Sequence, residues 1–527
     1  MSGALTVNRP ARSPHAFDGW RTGVLVVVIA GALELVAIAL GWRGSDLPAQ
    51  IFRTELFRHD GFVLWNSQWF GGHALLGYSV IAPAVSAPIG PLALGALSGI
   101  ASAFVFERIL RFWFGPGAWL GSVWFALGTV INLIVGRTTY AFGVALALGA
   151  IYAFQHRKVA IALACAILSS LASPLAGCFL AIVAAAWAAS QRGQRGQALI
   201  VGAGAVVPIV TIAALFPTAG SEPYETWALI WDLSLCAIIA IALRRYPAAR
   251  WGTACFALVA ITSYLVPTAL GGNVSRLDQY VAGPLLACAL LPRRRLLLAV
   301  LAIPLLVWQW FPAVDTIAFA HDDPSTHASY YTPLLSYLGT RGGPVGRVEI
   351  PSTYRHWEAA YAAPYVLLAR GWERQLDIAY NPLFYSDDDP LTPATYRTWL
   401  HANGVKYVAL PDARLDDSSL GERSLILHGL PYLHEIWHNT HWKVWQVDGF
   451  DGLVAGPATL QSMSPDRVTL NVTGRGQLVL RVHSTSHWSV SPSGCAASTR
   501  DGWTLLRNLP LGTVTLSQSL AGSPCPA

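Results

Sequence analysis

The chain has 527 residues, 54% of them hydrophobic and only 12% charged, with a formal net charge of +6. Soluble domains carry about 25% charged residues, so one large water-soluble core is excluded. The positive excess comes from arginine far more than lysine and falls between apolar runs, which argues for loop charge that orients a membrane protein and against a nucleic-acid partner.

The first apolar run, 22–42, follows Arg9, Arg12 and Arg21. A signal peptide has a shorter apolar core, about 7 to 15 residues. A retained anchor with a cytoplasmic N-terminal tail (1–21) is therefore expected. Further runs of about 12 to 22 residues predict about eleven crossings in a transmembrane domain over 22–312. They are 22–42, 80–100, 117–135, 138–154, 159–172, 175–189, 198–217, 227–243, 251–270, 280–291 and 296–312. Basic clusters then fall on one side: Arg108 with Arg111, Arg157 with Lys158, Arg192 with Arg195, Arg244 with Arg245, and Arg293 to Arg295. By the positive-inside rule that side is cytoplasmic, in a multi-pass cell (plasma) membrane protein. An odd number of crossings puts everything after residue 312 outside.

The long loop 43–79 is unusually charged for this chain. It predicts an amphipathic helix from Asp46 to His59, with Asp46, Gln50 and Arg53 on one face and Ile51, Phe52 and Leu56 on another. Such a helix would lie along the outer membrane surface. Its functional reading is a pocket for a lipid-borne substrate. Asp46 is the candidate base. Arg53, Arg58, Arg137 and Arg276 are candidate phosphate ligands. Gln50, His59, Trp65 and His73 are candidate substrate contacts. The competing reading has Asp46 or Ser45 simply capping the helix, with Arg53 and Arg58 touching lipid head groups. Arg137 and the pair Arg276 and Asp278 are expected in short outer loops. Asp232, inside a span, is either functional or bonded to a neighbouring helix. Glu222 and Glu225 are expected in a solvated loop.

After residue 312 the composition changes. GRVEI, KYVAL, WKVWQV, RVTLNV and QLVLRV alternate as strands do, and PATYRTWLHANG reads as a helix with Gly404 just past its end. This predicts a mixed α/β domain over 313–451 and a β-sandwich-like domain over 452–527. LHEIWH carries the zinc-protease spacing His434-Glu435-x-x-His438, but that chemistry needs a helix. Here the alternation predicts a hairpin, with Glu435 on the opposite face from the two histidines and at most a weak surface metal site at His438 and His441. The run Asp387 to Asp389 is read as a solvated loop, with calcium binding as the lesser alternative. Cys495 and Cys525 are the two cysteines of the outer domains; a disulfide pinning the C-terminus and free thiols are the alternatives.

A first span, a loop opening with Asp46-x-x-x-Gln50, the aromatic LWNSQWFGGH and GYSVIAP leading into the second span resemble the GT-C superfamily of membrane glycosyltransferases. NLIVGRTTYAFGVALALGAI, GGNVSRLDQYVAGPL and LVLRVHSTSHWSV with GWTLLRNLPLGTVTL extend the resemblance, which is nearest to arabinofuranosyltransferase-like actinobacterial proteins and YfhO-like bacterial membrane proteins. The resemblance implies a polytopic α-helical GT-C-like domain with an extracytoplasmic α/β plus β-sandwich-like region. It implies inverting transfer of a sugar from a polyprenyl-phosphate donor to a cell-envelope glycan or glycolipid acceptor, with Asp46 as base. No second acid stands directly beside Asp46, and the resemblance leaves a divalent metal (Mg or Mn) open. Trp488 and Trp503 are then candidates to stack on sugar rings or to fill the sandwich core. The rival functions are a transporter or flippase of lipid-linked glycans and a non-catalytic envelope scaffold.

Overall fold

In the computed structural model, residues 16–218, 220–319, 323–386 and 390–526 are described, with side chains from Trp20 onward. Arg9, Arg12 and the run Asp387 to Asp389 lie outside the described residues. A helix occupies each of the eleven expected stretches, in chain order α1 (Ala16–Ala39), then α3 (Ala82–Ile89) with α4 (Pro91–Phe114), α5 (Trp119–Val135), α6 (Thr138–Gln155), α7 (Val159–Ala172), α8 (Pro174–Ser190), α9 (Arg195–Leu215), α10 (Thr226–Ala242), α11 (Pro247–Leu265), α12 (Arg276–Leu290) and α13 (Arg295–Ala318). The loop after α1 holds α2 (Leu47–Asp60). Among the described residues, five helical segments are long and apolar enough to cross a membrane: Trp20–Ala39, Pro91–Val135, Thr138–Gln155, Arg192–Leu215 and Arg295–Ala318. Large apolar side chains such as Leu35, Val210, Leu296 and Ile303 point outward from them.

Two expected boundaries move. The stretch 80–100 is broken at Gly90, whose φ of 85° ends α3 before Pro91 opens α4. The new helix then runs on through Arg108 and Arg111, which are helical and not in a loop. The reason is Glu107: its buried carboxylate pairs with Arg111 at 2.5 Å and Arg108 at 3.4 Å, so the last turns of α4 carry their own counter-charge. At the other end α13 continues past residue 312 to Ala318.

The C-terminal region begins with α14 (Ala328–Gly339) and builds a four-stranded sheet in the order β3 (Arg347–Glu349), β4 (Val405–Pro411), β6 (Trp442–Val447), β5 (Leu433–His438). The β3–β4 pair is parallel and the others antiparallel. Between β3 and β4 come α15 (Glu358–Tyr361), α16 (Arg374–Tyr380) and α17 (Pro393–Ala402), and α18 (Leu420–His428) precedes β5. A Thr392 capping box starts α17, and Gly404, at φ 61°, follows its end. Two four-stranded antiparallel sheets then face each other, with Val468, Leu470, Leu480, Trp488 and Leu516 between them. Cys495 and Cys525 are joined by a disulfide.

The first loop is not a surface appendage. Its hairpin, β1 (Trp65–Asn66) with β2 (His73–Ala74), penetrates both C-terminal units. The Leu368 amide donates to Gln68, that of Ser67 to Pro465 and that of His483 to Gly71, all over 2.8–2.9 Å. Accordingly α2, expected along an outer surface, is packed inside the protein for most of its length. Leu47, Phe52 and Leu56 are buried, and so are Gln50 and Arg53, because the C-terminal domain covers the polar face.

Candidate functional site

The turn between α5 and α6 sets the site. Gly136, at φ 93°, lies so close to the start of α2 that an added Cβ would meet the Leu47 amide at 2.2 Å. Gly44 and Asp46 donate backbone bonds to Ile134 and Val135, at 2.9 and 3.0 Å. Asp46 is thereby held beside the next residue of the turn, Arg137, whose Nε reaches its Oδ2 at 3.2 Å. Arg276, in the first turn of α12, approaches the same oxygen at 3.9 Å. Asp46 occupies the position ahead of α2, but its carboxylate makes no capping bond. The capping alternative is thus set aside: the side chain faces two guanidiniums. Burial, and then Arg276 beside it, pull the Arg137 guanidinium down to about 10.

Gln50 and Arg53, one and two turns on, extend the site under the C-terminal domain. Gln50 Nε2 donates to the Tyr78 hydroxyl at 2.7 Å, and the Arg53 guanidinium sits 4.0 Å above the Tyr78 ring. Arg53 pairs with Glu373 at 2.6 Å. Burial raises Glu373 against the pull of Arg53, and burial with the Asp46 charge raises Tyr78. Trp372 donates to the Ser45 carbonyl at 2.6 Å, and Arg374 grips Asp416 at 2.8 Å. His356 lies flat on Trp372 at 3.3 Å between Glu358 and Asp416. Glu222, expected in a solvated loop, is half-buried, and burial raises its carboxyl.

Four expected site residues lie elsewhere. Arg58 is exposed, bound to Glu55 at 2.5 Å and the Ala87 carbonyl at 2.6 Å, because the last turn of α2 leaves the covered seam. His59 is 79% exposed beside the same Glu55. Trp65 packs edge-on to Trp488, 5.8 Å away, in the sandwich core. His73 is sealed between Trp69 and Phe70. Trp488 is buried too, and Trp503 stacks on His483 and covers Gly71, so neither offers a free face to a sugar. Arg276 and Asp278 are helical and not loop residues. Asp278 accepts from Trp308 at 3.1 Å. Asp232 accepts from Ser275 at 2.6 Å and from Tyr224, the inter-element bonding its second reading foresaw.

The His434–His438 segment is a strand of a hairpin. A bulge between Glu435 and Trp437 breaks the alternation, so Glu435 meets His438 at 2.8 Å and does not point away from it as expected. His434 pairs with Asp448 and His441 with Asp412. Among the described residues no group of three or more His, Cys, Asp or Glu side chains could hold a metal. Around Asp46 the surroundings are guanidiniums, which suit an anion and not a divalent cation.

Beneath Arg276 lies an apolar cavity of about 360 Å³. It follows α6 from Tyr140 in its first turn to Gln155 in its last, about 22 Å at 1.5 Å per residue. Arg276 stands 5.7 Å over the ring of Tyr140, which lines the cavity together with Leu277 and Asp278, the next residues of α12.

Fold and site together define a helical-bundle protein with an arginine-rich, anion-suited centre at the seam with its C-terminal domain. Comparison with protein-family models and with curated proteins finds no match.

Proposed function

We propose that the chain is an integral-membrane glycosyltransferase of GT-C type, moving a sugar from a polyprenyl-phosphate donor to an envelope glycan or glycolipid. The observation that carries this reading is the cavity: a long apolar slot is lined at one end by Tyr140, whose ring lies under Arg276, one of the two arginines that face Asp46. A prenyl chain suits the slot, and a phosphate suits the arginines. In this reading the helices make about eleven crossings. The exposed basic turn Arg157 and Lys158, after α6, lies on the cytoplasmic side, and Asp46 with the C-terminal domains lies outside. The Cys495–Cys525 disulfide suits an oxidising exterior.

The mechanism uses the resting ion pairs. An arriving donor phosphate takes Arg137 and Arg276 away from Asp46. The released carboxylate accepts the proton of the acceptor hydroxyl, and that oxygen attacks the anomeric carbon with inversion. The arginines hold the charge of the departing lipid phosphate. No step needs a metal in this scheme.

The test is transfer from radiolabelled polyprenyl-phosphate sugars by the purified chain in proteoliposomes. Asp46→Asn should lower turnover about 10²–10⁴-fold, the usual contribution of a general base, without loss of folding. Wild-type turnover in the folded Asp46→Asn variant would falsify the base assignment. The same cavity, reaching both ends of α6, also supports a flippase of lipid-linked glycans. Translocation of a fluorescent lipid-linked glycan without transfer would favour that reading, and neither activity would favour an envelope scaffold.

A further inference from the structure

Ser45 and Asp46 share one peptide group, and it is held from two sides. The Asp46 amide donates into the helical bundle, to Val135 at 3.0 Å, and the Ser45 carbonyl accepts from the Trp372 indole at 2.6 Å. A peptide group is planar, so fixing both of its ends fixes the direction in which the next residue projects. Without the indole bond the plane is held on the bundle side alone.

Trp372 is in turn held by its face. His356 lies flat on it at 3.3 Å, and the Arg374 guanidinium stands 5.1 Å from the ring. His356 is buried, and each of its ring nitrogens meets an acid: Nδ1 lies 3.5 Å from Glu358 and Nε2 lies 3.4 Å from Asp416. A neutral imidazole has one N–H to give and an imidazolium has two. Two acids on two nitrogens therefore call for the charged ring, which is also the form an indole face attracts. Burial opposes that charge, and Asp416 and Glu358 outweigh it. The charged groups round the ring are Glu358 from α15, Asp416 from the loop ahead of α18, and Arg374 of α16, which shares Asp416 at 2.8 Å. His356 keeps its place at a backbone φ of 58°, a left-handed conformation that the surrounding contacts must hold.

We propose that His356 is a positioning residue for Asp46: as an imidazolium it holds the Trp372 ring, and Trp372 holds the Ser45–Asp46 peptide. The catalytic consequence rests on the base role proposed for Asp46, and the positioning itself does not. When the proton leaves, one acid faces a ring lone pair and the indole face loses its cation, so the bond to Ser45 slackens. Turnover therefore falls as pH rises through the folded value of His356. Asp46, which must be ionised to accept a proton, sets the opposite limb.

The test uses the full chain in nanodiscs, with fluorotryptophan in place of tryptophan. The signal missing from Trp372→Phe identifies Trp372 in the fluorine NMR spectrum. In the otherwise wild-type chain that signal should move with pH along a titration above the ordinary 6.5 of a histidine, and in His356→Gln it should stay still. Transfer from a polyprenyl-phosphate sugar should lose kcat over the same range with donor KM little changed. His356→Gln should be flat there, about 10²-fold below the wild-type maximum, the usual cost of a small misplacement of a reacting group. A Trp372 signal that does not titrate in the wild type overturns the proposal, whether or not the Gln variant folds. A wild-type alkaline limb in the folded Gln variant overturns the link to Asp46 and leaves the base assignment standing. No transfer at any pH removes the glycosyltransferase reading, and the fluorine titration then decides alone whether His356 holds Trp372.

Discussion

Trp372 donates its indole N–H to the carbonyl of Ser45, 327 positions earlier, over 2.6 Å. The bond ties the C-terminal domain to the residue directly before Asp46. Trp372→Phe keeps a ring for His356 to lie on and removes the donor with part of a buried indole. The expected loss is about 1 kcal/mol for the bond plus the cost of the cavity left, and, if the chain transfers sugar as proposed, transfer falls further than melting temperature because Asp46 loses its backstop. Thermal melting and initial rates on one preparation separate the two effects.

Arg276→Ala should weaken the donor and not the acceptor. Arg276 lies over Tyr140, which lines the cavity, and approaches the Asp46 carboxylate at 3.9 Å. A donor KM raised about 10- to 100-fold, with acceptor KM little changed, is expected for loss of a charge-assisted bond of about 1.5–3 kcal/mol. Equal rises in both constants would contradict the phosphate role.

The Arg53–Glu373 pair is buried and its partners come from α2 and the segment ahead of α16. Glu373→Ala leaves an unpaired buried guanidinium and should destabilise by about 3–5 kcal/mol. Replacing both residues, as Arg53→Met with Glu373→Leu, should cost far less. Urea unfolding of Arg53→Met, Glu373→Leu and the double variant checks the coupling, and additive losses would show that the pair is not coupled.

Two kinds of histidine give opposite pH responses. His356 is raised above its ordinary 6.5: burial works against the charge, but Asp416 and Glu358 more than offset it. Its contribution is present below the unfolded value and is lost as pH rises through the folded one. His73 and His483 are pushed down by burial, to about 3 and about 4, so each must charge when the chain unfolds in acid. Their contribution is intact above pH 6.5 and fades as pH falls toward those values. Melting temperature against pH should therefore show a plateau near neutrality. His356→Gln should flatten the alkaline side only, and His483→Phe the acid side only.

The apolar helices, the helix after Asp46, the helix at Pro393–Ala402, the strands in GRVEI, KYVAL, WKVWQV, RVTLNV and QLVLRV and the hairpin at Leu433–Val447 were legible because apolar runs and alternation are local signals. Depth was not. The spacing that put Arg58 and His59 near Arg53 on α2 says nothing of where cover by another domain stops, and it stops one turn earlier. Trp65 and His73 had the composition of an interfacial belt, yet strands some 400 residues later closed over them. Trp372, Glu373 and Arg374 reach the site from beyond the last apolar helix. Their only trace in sequence is a Trp-Glu-Arg group, and no rule of spacing links it to residue 46. The seating of the Glu222 loop is hidden for the same reason, since it comes from the Gly220 and Gly271 contacts.

The hairpin that carries Trp65 also sets an order of assembly. Its indole completes a core whose other walls, Val468 to Leu516, leave the ribosome some 400 residues after it. The early segment must wait, unfinished, through the threading of nearly every helix before its partner arrives. Stalled or clipped nascent chains would therefore display an unfilled tryptophan tip, a mark that quality-control proteases could read.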